Sequence, residues 1–133
     1  MQDQNNSKNP LKELLVREAQ PLNLRELAEI LKPFILINET TKEIELLPAF
    51  RELPNEEKIL IYLAGMKAKK SLFKNVEEKL SPSEIIKEEI MPEGSVKSTL
   101  KKLYDSGEIK AESSRYYLPD YRIRFLKNRI KQP

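Results

Sequence analysis

Residues 81–118 read SPSEIIKEEIMPEGSVKSTLKKLYDSGEIKAESSRYYL, and the signals in that run arrive in the order helix, turn, helix, strand, tight turn, strand. Ser81, Pro82 and Glu84 form a capping-box start. The serine oxygen accepts an orphan backbone N–H, and a proline at the first helical position loses no hydrogen bond. Ile85, Ile86 and Ile90 give this short helix its apolar face. MPEGS then interrupts it: Pro92 moves Met91 out of helical geometry, and Gly94 is expected to permit the sharp turn. A second helix follows, with Glu93 or Ser95 near its cap. It carries Val96, Leu100 and Leu103 on one stripe and ends with Gly107 at C′. Strands are predicted over 108–111 and 115–118, around a turn at 112–114. Ile109 and Ala111 alternate with Lys110 and Glu112; Tyr116 and Leu118 share one face, Arg115 and Tyr117 the other.

The side of the second helix away from its apolar stripe carries the functional signal. At about 100° per residue from Val96, Ser98 lies almost opposite the stripe. Lys101 and Lys102 flank it, Lys97 lies to one side, Ser95 stands at the leading end, and Asp105 is a single late acid. Short side chains near the axis let a helix approach base edges, while long cations at its borders reach phosphates, so this face suits the major groove of duplex DNA. A solvated lysine face is the alternative reading. Arg115, just past the hairpin tip, is placed to reach the minor groove or flanking phosphates, or else to solubilise the hairpin end.

The run from Glu93 to Leu118 resembles the recognition helix and wing of winged helix-turn-helix proteins, particularly small prokaryotic and archaeal-type regulators. Its elements are Gly94-Ser95 ahead of the helix, Val96, Leu100 and Leu103 as its core, Gly107 and Ile109 opening the wing, and Tyr116-Tyr117 on the returning strand. The resemblance covers about the second half of the chain, from near Pro54. It implies DNA binding as the default, although some members of the superfamily use the same fold only to bind proteins.

Composition narrows the alternatives. The chain has 133 residues, 34% of them charged and 39% hydrophobic, enough for one small domain with an extension. No run reaches the length of a membrane span and no signal peptide is expected, so the expected compartment is the cytoplasm. Zero Cys and zero His exclude disulfides, the usual zinc constellations and histidine acid–base chemistry, and no metal or cofactor is expected. The neighbouring pairs Glu56-Glu57, Glu77-Glu78 and Glu88-Glu89 point in different directions on a helix, no phosphate-cradling glycine loop exists, and Ser113-Ser114 lacks a base. No catalytic residue is therefore expected. The Lys/Glu-rich, Cys-free composition resembles that of thermophile proteins. Charge is unevenly spread: residues 1–93 carry 14 Lys/Arg against 17 Asp/Glu, and residues 94–133 carry 10 against 4. The positive charge thus gathers where phosphate binding would need it.

The rest of the chain is divided as follows. Residues 1–9 are polar and expected to be a disordered tail. Residues 10–53 are expected to hold two amphipathic helices, over 11–19 and 23–32, the second with Leu24, Leu27, Ala28 and Leu31 on one face. A hairpin follows around NETTK, with Ile44 and Leu46 inward and Glu43 and Glu45 outward. Residues 48–54 read as the joint. Residues 54–120 form the winged unit, opening with a long helix over 54–74 capped by Asn55, with Ile59, Leu60, Leu63, Met66 and Ala68 buried and Lys67, Lys69, Lys70 and Lys74 as solvated helix-end charges. Residues 121–133 carry a basic amphipathic helix, with Ile123, Leu126 and Ile130 on one face and Arg122, Arg124, Lys127, Arg129 and Lys131 around the rest. This last helix can pair two copies, bind phosphate or close the core; packing through the apolar face with Arg122 and Arg124 near DNA is favoured over a membrane role.

The expectation is an α+β protein, mainly helical, that binds double-stranded DNA through Ser95, Lys97, Ser98, Lys101, Lys102, Arg115, Arg122 and Arg124. Its role would be transcription regulation or the replication or maintenance of a small genome, with a homodimer as one way of matching a two-fold site and no small-molecule ligand evident. A protein-interaction module on the same fold is the competing expectation.

Overall fold

A computed structural model describes residues 9–15 and 22–131. The described chain is an α+β fold with two separate two-stranded antiparallel sheets. After a 3-10 turn at Pro10–Leu14 come helix α1 (Leu24–Leu31), strands β1 (Ile35–Ile37) and β2 (Ile44–Leu46), the short helix α2 (Pro48–Arg51) and the long helix α3 (Asn55–Leu72). Helices α4 (Pro82–Lys87) and α5 (Glu93–Asp105), strands β3 (Lys110–Glu112) and β4 (Arg115–Tyr117), a 3-10 turn at Asp120–Arg122 and helix α6 (Ile123–Arg129) complete it.

Helix α3 is the axis on which the others are laid. Every residue from Ile59 to Lys67 is buried, so it is covered all round rather than along one stripe. Helices α1 and α5 both pack on it, and the first hairpin crosses it at Gly65. A Cβ at Gly65 would lie 2.9 Å from Ile35 Cδ1 and 3.1 Å from Ile44 Cδ1, so the bare glycine lets the hairpin sit that close. Buried side chains from Leu27 to Ile130 form one cluster, and α6 closes it by burying Ile123, Leu126 and Ile130 beside α1.

The helix pair and second hairpin follow their local signals. Ser81 Oγ accepts from Glu84 N at 3.2 Å while Ser81 N donates to Glu84 Oε1 at 2.8 Å, the full capping box. Glu84 is held below the usual carboxylate range by that backbone N–H, with Arg115 adding to the effect against the opposing cost of burial. Helix α5 buries Val96, Leu100 and Leu103 as expected, and Thr99 with them. At its end Gly107 adopts φ +82°; Gly107 N donates to Tyr104 O and Glu108 N to Leu103 O, a Schellman termination. Strands β3 and β4 pair as Lys110↔Tyr117, Ala111↔Tyr116 and Glu112↔Arg115. Ser113 and Ser114, both at positive φ, make the two-residue turn that matches strand twist. Leu80 pairs with Tyr116 by two backbone bonds of 3.0 and 2.7 Å, which adds a third short edge to this hairpin.

Several expectations need correcting. The left-handed residue between α4 and α5 is Glu89, at φ 53°, and its carbonyl accepts from Arg51 Nη1 at 3.2 Å; Gly94 is helical and inside α5. Helix α3 is capped by Pro54, with Asn55 already in the first turn. The stripe of α1 is rotated: Leu27, Ile30 and Leu31 are buried while Leu24 and Ala28 are exposed, because Ile30 offers more apolar area than Ala28. Residues 48–54 are not a bare joint, since α2 fully buries Phe50. Lys67 is buried, not solvated: it pairs with Glu78 at 2.7 Å and with Asp120, tying α3 to the segment before α6. Ala111 is exposed rather than half-buried. The start of the helix expected over 11–19 is a 3-10 turn capped by Asn9; its remainder, and the tail over 1–8, lie outside the described residues.

Candidate nucleic-acid interface

Helix α5 is seated on α3 and α4 through Val96, Leu100 and Leu103, which leaves a defined outer face. Lys97, Ser98, Lys101 and Lys102 are all exposed on it, and Ser95 is half-buried at its leading end. The short side chain of Ser98 folds back, donating from Oγ to Ser95 O at 3.2 Å, so the centre of the face is flat and the cations stand at its borders. Lys101 Nζ bonds Asp105 Oδ2 at 2.8 Å, and this hydrogen bond keeps its ammonium more firmly protonated than usual. Lys102 Nζ lies 3.3 Å from Glu56 Oε2, a carboxylate of the first turn of α3. Exposed pairs of this kind exchange readily with solvent or another anion, because water screens most of their attraction.

The structure places Arg115 elsewhere than at a free tip. Its Nε and Nη2 donate to Lys79 O at 3.1 and 2.7 Å, and Nη2 lies 3.0 Å from Glu84 Oε1. The side chain is half-buried and acts as a strut from β4 to the Leu80 edge and the capping box of α4. The tip itself presents Ser113, Ser114 and Glu112, and Glu112 pairs with Lys79. Lys79 in turn lies 5.4 Å over the Tyr117 ring. The second hairpin is therefore braced on the protein by the very cation expected to reach outward.

Arg122 and Arg124 both precede Phe125 in sequence. Both guanidinium groups lie 4.8 Å from the centre of its exposed ring. Among the described residues neither forms a hydrogen bond or ion pair with a side chain of α5. Arg129, absent from the sequence-derived site, does reach it: Nη2 lies 2.6 Å from Glu56, Nη1 3.4 Å from Glu57 and Nε 2.8 Å from Glu108. Lys102, Glu56 and Arg129 thus line one pocket of about 470 Å³ beside α5. Only the excess of cations over acids after residue 120 hinted at such a partner in the sequence.

Among the described residues no cluster of acidic side chains is arranged to hold a metal ion, and no helix is long and apolar enough to cross a membrane. No protein-family model, curated protein or solved structure matches the chain.

Proposed function

We propose that the protein is a winged helix-turn-helix protein that binds double-stranded DNA, with α5 as the recognition helix and the β3–β4 hairpin as the wing. The observation that carries this reading is the outer face of α5: an exposed, flat centre at Ser98 bordered by Lys97, Lys101 and Lys102, on a helix whose other side is locked in the core. The element order α3, Leu80 edge, α4, α5, β3, β4 supports it. Ser95–Lys102 would enter the major groove, Lys97, Lys101 and Lys102 would meet phosphates, and Arg115 would set the angle of the wing rather than touch DNA. Arg122 and Arg124 would lie at the periphery. The role we assign is a regulator or a maintenance factor of a small genome, non-enzymatic, acting in the cytoplasm.

The test is a titration of random-sequence duplex by fluorescence polarisation at several salt concentrations. Lys97→Ala and Lys101→Ala should each weaken all sequences alike and flatten the log–log salt slope by about one. Ser98→Ala should change sequence preference more than slope. Unchanged affinity in both lysine variants would remove the groove model. A second reading, a protein-interaction module, is favoured by one observation: Leu11, Leu14, Leu15 and Leu24 are all exposed near the start of the chain. Such a module would bind no duplex even at low salt.

A further inference from the structure

The pocket between the first turn of α3, the flank of α5 and Arg129 has the make-up of a phosphate seat with an internal anion already in it. Two cations from different helices converge on one carboxylate: Lys102 Nζ on Glu56 Oε2 at 3.3 Å, and Arg129 Nη2 on Glu56 Oε1 at 2.6 Å. A phosphodiester also offers two anionic oxygens of total charge −1, so it can replace that carboxylate oxygen for oxygen. A second observation is independent of the charges. Thr99 lines the same pocket and is 7% exposed, and among the described residues no protein group bonds its hydroxyl, which is left open to the pocket. The backbone N–H groups at the start of α3 also lack a side-chain cap, because Pro54 stands at the N-cap.

We propose that this pocket is a second phosphate seat of the DNA interface, held shut by Glu56 in the free protein and opened when a backbone phosphate displaces that side chain. The inference rests on the duplex-binding reading above and extends it from the α5 face to its flank. Arg129 stays in place when Glu56 leaves, because Glu108 and Glu57 still hold its other nitrogens. Those two carboxylates also offset the charges of Arg129 and Lys102, so a free phosphate ion gains little here. A phosphate delivered by a duplex already held by Lys97 and Lys101 gains much more, since its encounter is intramolecular. The occupant is thus a DNA backbone phosphate.

The experiment compares wild type, Glu56→Gln and Glu56→Gln/Lys102→Met on the same random duplex across salt, with thermal melts in inorganic phosphate alongside. Glu56→Gln should bind roughly three- to ten-fold tighter, with a salt slope steeper by about one, and the double variant should lose that gain. None of the three proteins should gain thermal stability from inorganic phosphate. Glu56→Asp, which withdraws the carboxylate from both cations while keeping its charge, should give a smaller gain and serves should Glu56→Gln melt below the assay temperature. Duplex binding by wild type with no gain in either Glu56 variant overturns the seat and leaves the groove model standing. Stabilisation of Glu56→Gln by inorganic phosphate without tighter duplex binding overturns the DNA source and makes this a free-anion site. No duplex binding by any variant overturns both readings.

Discussion

Arg129 joins three segments that are far apart in sequence: Glu56 and Glu57 at the start of α3, and Glu108 where α5 gives way to the hairpin. Burial alone would raise the Glu108 carboxyl, but the Arg129 hydrogen bond and charge outweigh it and hold it below the usual carboxylate range. A depressed carboxylate contributes stability that is present above its unfolded value, about pH 4.3, and is lost as pH falls through the lower folded value. Arg129→Met should therefore cost about 1.5–3 kcal/mol at pH 7, read from urea unfolding. That gap should narrow as pH drops below about 4. A gap that stays constant to pH 3 would show that Arg129 works by packing alone. Residues of this kind were the least legible in the sequence. Lys67 and Arg129 looked like solvated cations and Arg115 like a DNA contact, because their partners are distant carboxylates or, for Arg115, also the backbone carbonyl of Lys79, which no side-chain pattern announces.

Local elements were legible where neighbouring residues complete their own chemistry. The capping box at Ser81 and Glu84, the stripe of Val96, Leu100 and Leu103, and the glycine stop at Gly107 all close within one or two turns. Ser81→Ala should cost about 1 kcal/mol in equilibrium unfolding, while an unchanged midpoint would deny the cap any role. The hairpin turn offers a test in the stabilising direction. Ser113 and Ser114 both hold positive φ, which Asn-Gly adopts more readily, so replacing the pair with Asn-Gly should stabilise by about 0.5–1 kcal/mol. Arg115→Met should leave the global melt nearly as it was but speed amide exchange over residues 115–117, if the strut is what fastens the second hairpin. Element readings failed where packing chose between equivalent local patterns. The stripe of α1 turned towards Ile30, and the left-handed turn fell on Glu89, whose carbonyl accepts from Arg51, instead of on Gly94.

Across the whole molecule, α3 sits at the centre of one continuous core, and that explains its lack of a single apolar stripe: α1, α5 and the first hairpin each take a side. The consequence is that α5 is held with its cationic face outward, flanked by the pocket that Glu56 enters and by a hairpin braced from behind. The residues of α5 expected at the interface do share one exposed face, Arg115 is drawn into the protein, and Arg129 approaches the flank of α5 through Glu56. The most direct measurement of that arrangement is an amide chemical-shift titration of the isotope-labelled protein with a short random duplex. The account predicts that the largest shifts fall on Ser95–Lys102 and, next, on Glu56 and its neighbours at the start of α3. Shifts confined to the exposed leucines near residues 11–24, or no shifts at low salt, would contradict it.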